Sequence, residues 1–269
     1  MPWYKKTIKA GDILETEIYC SVRTRGKSVP RERRKAPTTE AQAKLNDINR
    51  KKHFRRKINA NFRPYDIYAT LTYAKEPEEI EKAIKNLSNF IKRINYSRKK
   101  RGLDNIRYIA VTEYQGKRIH HHVIMERMSM DEIIKQWNKT FGAGSAELQT
   151  LYAHDMDYSN LSDYLLKETR NRRGKHWTES RNLIQPTVNY TRASRQDKKA
   201  MRGARPYIPK GYILTDEIRT ANDLTGIMCY FKFRRTKPDL CADIDRPAQK
   251  KGEKSRPSNG ADHLFKMDR

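Results

Sequence analysis

Three adjacent histidines, His120 to His122, are the residues whose type and spacing most directly suggest chemistry. Apolar, strand-forming residues flank them, and successive side chains on a strand point to opposite faces. His120 and His122 should therefore share one face, where their imidazoles could bind one metal ion. Gly116 marks a hairpin turn that would bring Glu113 beside them on the neighbouring strand. The pattern predicts a His-His-Glu metal site with open coordination positions.

A second candidate group lies downstream, in a segment that predicts a short helix over residues 161–169. Tyr164 and Lys167 are three residues apart and would share one face of that helix. A phenol is a weak nucleophile at its free pKa of about 10, and a nearby cation favours the phenolate. Taken alone, this spacing is weak evidence and is more typical of a helix whose tyrosine only packs. Beside a paired-histidine strand, it makes Tyr164 a candidate nucleophile.

The flanking sequence predicts the elements that would position these residues. Apolar spacing after Pro77 predicts a long helix, and Ser129 with Glu132 predicts the start of a shorter one. Together with the strands, this order predicts an α+β fold. We expect a central antiparallel sheet that carries its helices on one face and leaves the other face open for a ligand. The strands predicted from apolar and β-branched content cover residues 65–73, 106–114, 118–125 and 146–152.

Composition narrows the class of protein. Lysine and arginine total 58 residues against 32 acids, a formal net charge of +26 at pH 7. Such an imbalance favours a polyanionic partner, and nucleic acid is the leading candidate. No apolar run of 18 residues occurs, so we expect no membrane-spanning helix and no membrane partner. The three cysteines are isolated and the first residues lack a signal peptide's apolar stretch, so we expect a cytoplasmic protein.

The charge pattern also predicts how the chain divides. Residues 1–62 are predicted as a basic N-terminal extension, a strand pair followed by a helix that the segment Thr38-Thr39-Glu40 could cap. Residues 63–235 are predicted as the main domain, and residues 236–269 as a disordered polar tail. Cations dominate residues 50–57 of the N-terminal helix, which predicts a face that follows a phosphate backbone; a solvated helix face is the alternative. Further basic tracts cover residues 98–101 and 170–210.

Three motifs in a fixed order resemble those of a known family. They are the strand ending in Leu71-Thr72-Tyr73, the histidines with their upstream acid, and Tyr164 with Lys167. This order is similar to that of HUH endonucleases, and the closest similarity is to single-tyrosine rolling-circle replication initiators of the filamentous-phage gene II and bacterial plasmid type. The resemblance covers residues 65–186, under half of the chain. His121 departs from the family pattern, which usually has a bulky apolar residue there.

The resemblance implies an RRM-like palm fold and a role for each matching position. His120 and His122 would be the paired ligands of a Mn²⁺ or Mg²⁺ ion, and Glu113 the third ligand. Tyr164 would be the nucleophile and Lys167 its cationic helper. The implied activity is nicking of single-stranded origin or hairpin DNA, which leaves a 5′-phosphotyrosine link and a free 3′-hydroxyl. Because the sequence contains no Walker-type phosphate loop, strand separation would need a host helicase. A host polymerase would be a further partner.

Several alternatives stay open at the level of sequence. A bulge could turn His121 towards the metal, and Tyr158 could replace Tyr164 or act as a second tyrosine. Relaxases and single-tyrosine transposases use the same chemistry. A basic nucleic-acid-binding protein without catalysis, and a metal-dependent nuclease that activates water, are alternatives from other classes.

Overall fold

The computed structural model describes residues 3–20, 39–114, 118–152, 157–167, 175–222 and 226–237 of the 269-residue chain. Within these residues the chain forms ten strands and five helices. The strands are β1 Trp3–Ala10, β2 Ile13–Cys20, β3 Ile67–Tyr73, β4 Tyr108–Glu113, β5 His120–Met125, β6 Ala143–Thr150, β7 Thr178–Glu179, β8 Thr187–Arg192, β9 Tyr212–Asn222 and β10 Gly226–Arg235. The helices are α1 Glu40–Asn61, α2 Ile80–Lys100, α3 Met130–Trp137, α4 Ser159–Lys167 and α5 Arg195–Met201.

Five strands form a central antiparallel sheet in the order β6-β3-β5-β4-β7. β5 lies in the middle, with β3 on one side and β4 on the other. Residues along β3 alternate between buried and half-buried, as the two-residue period of a strand requires. The predicted α+β class and the antiparallel sheet are thereby confirmed.

Helices cover both faces of this sheet, so the prediction of helices on one face only is wrong. On one face, α2 and α3 bury Phe90 and Trp137 against the strands. On the other face, α1 and α4 bury Phe54 and Leu165 against residues that include Ile124 of β5. The packing of α1 on the sheet could not be predicted from the sequence, because its few apolar residues lie among many cations and form no clear apolar stripe.

Side-chain caps explain where the helices begin. The hydroxyls of Thr39 and Ser129 each accept a backbone hydrogen bond from the first turn of α1 and α3, so both predicted starts are confirmed. α2 begins at Ile80 and not at the predicted Pro77. Glu79, the residue before the helix, has extended backbone. The carboxylate of Glu76 accepts a hydrogen bond from the backbone N–H of Ile119, just before the histidine strand.

A second antiparallel sheet joins strands from opposite ends of the chain, in the order β8-β1-β2-β10-β9. α5 packs on one of its faces, where Met201 joins an apolar cluster with Ile18 and Phe231. The N-terminal strand pair is thus hydrogen-bonded on both sides to strands that lie after residue 186. The division of the chain into domains stays a prediction.

α1 lies between the two sheets, and several of its cations point into that interface. Glu15 of β2 is fully buried, and its carboxylate accepts one hydrogen bond of 2.9 Å from Arg55 and one of 2.9 Å from Arg56. Lys57 pairs with Glu179 of the central sheet. The prediction that this basic run follows a phosphate backbone is wrong for these residues, because acids distant in the sequence neutralise them.

The predicted tail lies outside the described residues from 238 onward, as do residues 115–117 of the predicted turn. Among the helices that the structure describes, none has the length and apolarity needed to cross a membrane.

Replacing Glu15 by glutamine should lower the free energy of unfolding by about 3 kcal/mol. The amide keeps the size of the carboxylate but removes the negative charge that Arg55 and Arg56 both contact in a buried interface. Urea unfolding followed by circular dichroism measures the change. Glu40→Gln is the matched control: Glu40 pairs with Lys44 at an exposed site, so its loss should cost under about 0.5 kcal/mol. Equal effects of the two substitutions would contradict the prediction.

Candidate metal centre

The antiparallel register of β4 and β5 assembles the candidate centre. Glu113 lies directly opposite His120, and His122 is two residues further along the same face. Directly opposed residues have Cβ atoms about 4.5–5.5 Å apart, so side chains from two strands converge. The ligand atoms of Glu113, His120 and His122 all lie within 4.8 Å of one another. The structure therefore brings the predicted trio together, and its role as a ligand set is a proposal that this geometry supports.

The separations within the trio fit one divalent ion. Nε2 of His120 is 3.3 Å from one carboxylate oxygen of Glu113, and Nε2 of His122 is 3.5 Å from the other. Two donors that each bind one ion at about 2.0–2.2 Å stand about 3.0–3.5 Å apart in tetrahedral or octahedral geometry. Mixed imidazole and carboxylate donors bind divalent ions. The residues present could therefore hold such an ion.

Hydrogen bonding fixes the tautomer of His120. Its Nδ1 lies 2.8 Å from the carbonyl oxygen of Arg118, and because a carbonyl only accepts, Nδ1 must donate. In the neutral ring, Nε2 then turns its lone pair towards Glu113. A lone pair that faces a carboxylate is favourable only with a positive charge between them, and a bound cation supplies that charge.

His122 is held by two residues of β3 that the sequence analysis did not identify. The hydroxyl of Tyr68 is 2.7 Å from Nδ1 of His122, and the two rings are stacked with centroids 5.6 Å apart. Oγ1 of Thr70, which pairs with His122 in the sheet, is 3.4 Å from the same nitrogen. A partner on Nδ1 orients the ring so that Nε2 faces the ion. The sequence feature that could have indicated these partners is a pair of polar side chains, two residues apart on a predicted strand.

His121 points away from the centre, into the core on the side of α3. It is fully buried, and its two ring nitrogens bond to the hydroxyls of Tyr73 and Thr112, each at 2.9 Å. Burial, together with the two neighbouring histidines, lowers the pKa of His121 to about 3, so its ring is neutral. The pairing of β4 with β5 contains no bulge at this point, and the alternative in which His121 faces the metal does not match the structure.

Tyr164 of α4 stands beside the centre. Its ring meets the ring of His122 edge-on, with centroids 5.7 Å apart and 70° between the planes. Leu165 and Leu166 are buried against the sheet and anchor the helix, whereas Tyr164 is 56% exposed. Lys167 is exposed one turn further on, at the end of α4. The structure therefore brings the exposed ring of Tyr164 to the edge of the trio.

Tyr158 lies elsewhere. It is only 2% exposed, and its surroundings include Asp66, which precedes β3. That end of β3 is opposite to Thr72, the residue that pairs with His120. Burial, with the carboxylate of Asp66 as a further cause, raises the pKa of the Tyr158 phenol. Of the two tyrosines considered from the sequence, the structure brings Tyr164 to the centre.

Comparison with known families agrees with this geometry. Residues 66–169, which include the trio and α4, match the family model described as replication-associated protein ORF2/G2P. The match covers less than half of the chain and is consistent with the rolling-circle initiators that the sequence motifs resemble. In the comparisons with curated proteins and with solved structures, nothing matches the chain.

The trio should bind one Mn²⁺ ion. Glu113→Gln or His122→Ala should weaken that binding by more than about a hundredfold. Loss of a residue that only orients a ligand costs up to about a hundredfold in affinity, and loss of a ligand itself should cost more. Each substitution removes one of three donor groups. Isothermal titration calorimetry and Mn²⁺ electron paramagnetic resonance measure the affinity. His53→Ala is the matched control, because His53 is exposed and lies outside the trio. Unchanged affinity in both trio variants would refute the site.

Tyr68→Phe should weaken Mn²⁺ binding by about tenfold to a hundredfold. It removes only the hydroxyl that contacts Nδ1 of His122 and leaves the stacked ring in place. The same titration measures the effect. Tyr65→Phe is the control, because Tyr65 is 58% exposed and should bind the ion as the wild type does. Equal affinity of Tyr68→Phe and the wild type would show that the hydroxyl does not orient the ligand.

Proposed function

We propose, with the replication-associated family of residues 66–169 as the premise, that the protein starts rolling-circle replication by nicking single-stranded origin DNA. Tyr164 is the nucleophile, and the centre formed by Glu113, His120 and His122 holds a divalent ion, Mn²⁺ or Mg²⁺. The observation that carries this proposal is the edge contact between Tyr164 and His122. It sets an exposed phenol beside a buried metal-type donor set, on two elements that are far apart in the sequence.

The chemistry follows from this juxtaposition. A divalent ion in the centre would polarise the non-bridging oxygens of the scissile phosphate and support in-line displacement. Oη of Tyr164 forms a bond to phosphorus as the phenol loses its proton, and the bond from phosphorus to the 3′ oxygen breaks. The 3′ oxygen takes up a proton. The products are a 5′-phosphotyrosine link and a 3′-hydroxyl that can prime synthesis, and attack by a later 3′-hydroxyl reverses the step.

Lys167 would act on the same phosphate. It is exposed at the end of α4, one helical turn after Tyr164. An ammonium in that position would neutralise charge that develops on the phosphoryl oxygens. Strand separation and synthesis then fall to a helicase and a polymerase of the host.

Tyr164→Phe should abolish the covalent adduct between the protein and single-stranded DNA. The substitution removes the attacking oxygen and keeps the ring that contacts His122. The assay incubates the protein and Mn²⁺ with labelled oligonucleotides that tile the DNA on both sides of the gene, and denaturing electrophoresis detects the adduct.

Tyr158→Phe is the matched control and should form the adduct as the wild type does, because Tyr158 is buried away from the centre. Cleavage that persists in Tyr164→Phe without an adduct would identify a nuclease that activates water. Binding without cleavage by the wild type would identify a non-catalytic protein. Either result would overturn the proposed function.

A further inference from the structure

α5 carries a continuous basic face that the proposed nicking chemistry does not use. Residues 187–210 contain seven lysines or arginines and one acid. Four of the cations follow the spacing i, i+3, i+4 and i+7, which places them within one narrow sector of a helix. All four are exposed, and they are Arg195, Lys198, Lys199 and Arg202. We call these four residues the α5 basic face.

The opposite side of α5 holds the helix on the second sheet. Ala200 and Met201 are buried in the apolar cluster of that sheet. Asp197, the one acid of the segment, is buried and pairs with Lys5 of β1 at 2.9 Å. It therefore points away from the α5 basic face and leaves the charge of that face uncompensated.

The cations of the α5 basic face lack the acidic partners that the basic run of α1 has among the described residues. Arg55 and Arg56 of α1 are neutralised by Glu15 in the interface between the sheets. Within the described part of the chain, none of the four residues of the α5 basic face forms an ion pair. Exposed cations on a fixed scaffold, without acids among them, match a row of phosphates.

Hydrogen bonds connect the second sheet to the start of α4, the helix that carries the proposed nucleophile. Lys232 of β10 donates a hydrogen bond to Asp157 over 2.9 Å, just before α4 begins. Arg55 donates to Ser159, the first residue of α4, and to the hydroxyl of Tyr230 of β10. Burial acts to raise the pKa of Asp157, but hydrogen bonds from Ser159 and Lys232 are among the contacts that hold it below its usual value, so the pair with Lys232 is ionic.

β10 therefore links the two functional elements through its two faces. Tyr230 and Lys232 point to α1 and the start of α4, whereas Phe231 and Phe233 point to the cluster that holds α5. Since alternate residues of one strand make both sets of contacts, the α5 basic face has a fixed position relative to Tyr164.

We propose that the α5 basic face binds the phosphate backbone of double-stranded DNA next to the single strand that Tyr164 cuts, an inference that rests on the proposed function. None of the four residues of the face is aromatic, and the exposed Tyr190 and Tyr207 of the same segment lie outside α5. The face itself offers cations and no ring on which an unpaired base could stack, so it fits a duplex, whose bases are already stacked and whose phosphates face outward. The fixed link to α4 then sets the distance between the bound duplex and the nick.

The test compares two triple variants of the full chain. Lys198→Ala, Lys199→Ala and Arg202→Ala together remove most of the α5 basic face. The matched control removes three exposed lysines from α2, which lies on the face of the central sheet opposite to the metal centre: Lys85→Ala, Lys92→Ala and Lys99→Ala. Fluorescence anisotropy measures binding to a duplex of random sequence and to an oligothymidylate of equal length, over a range of KCl concentrations.

The α5 triple variant should lose duplex affinity by about tenfold or more, and the slope of log K against log salt should fall by about 2 to 3, since each lost phosphate contact removes about 0.9. The α2 variant should lose less. Equal duplex binding by the α5 variant and the wild type, an equal loss in the α2 variant, or a larger loss on oligothymidylate than on duplex would each overturn the proposal. If the triple variant does not fold, Arg195→Ala alone should lower the slope by about 1.

The same variants separate this inference from the proposed function. The α5 triple variant should still form the Tyr164 adduct on a single-stranded oligonucleotide, because none of its changes lies at the metal centre. Absence of an adduct in the wild type would refute the nicking chemistry, whereas unchanged duplex binding would refute only the role of the α5 basic face.

Discussion

The candidate centre depends on one constraint, the register in which β5 pairs with β4. Because side chains on a strand alternate, a slip of one residue would turn His121 to the centre and send His120 and His122 into the core. His121 opposes that slip, because both of its ring nitrogens are bonded to hydroxyls in a fully buried site. A displaced imidazole would lose those bonds without gaining water. The polar middle residue, which departs from the pattern of the resembled family, therefore stabilises the register that the outer two histidines require.

A second constraint acts through α1, which must satisfy two different neighbours. Phe54 and Ile58 pack on the central sheet, whereas Arg55 and Arg56 reach Glu15 of the second sheet. One side of α1 is held by apolar burial and the other by ion pairs. These contacts fix the rotation of α1 about its own axis, because any other rotation would bury unpaired guanidinium groups. α4, which carries the proposed nucleophile, contacts α1, and the segment just before α4 contacts β10 of the second sheet. The position of α4 thus depends on both sheets, and the second sheet is part of the candidate active site's support.

Features that depend on neighbours along the chain could be predicted from the sequence. The alternation of the histidines and the helix caps at Thr39 and Ser129 belong to this group. Features that depend on which distant segments meet could not. The contact of Tyr68 with His122 spans 54 residues and that of Arg55 with Glu15 spans 40. Residue type gives no indication of the partner in either case, since a tyrosine on a strand or an arginine on a helix is equally compatible with an exposed position. The sequence therefore predicts the donor set but not the side chains that orient it.

Burial distinguishes the tyrosines near the sheet and decides which of them can do chemistry. Burial raises the pKa of Tyr68, with Tyr164 nearby as a further cause, and burial also raises the pKa of Tyr158. Both phenols therefore lose their protons less readily than a free tyrosine does; Tyr68 contacts Nδ1 of His122, and Tyr158 packs in the apolar cluster of α1 and α4. Tyr158 is in addition only 2% exposed, so its phenol cannot meet an incoming strand. Tyr164 is the one that remains in contact with solvent and with the rim of the centre. An enzyme of the proposed kind needs a nucleophile that stays accessible to a polymer, and among these three tyrosines Tyr164 is the exposed one.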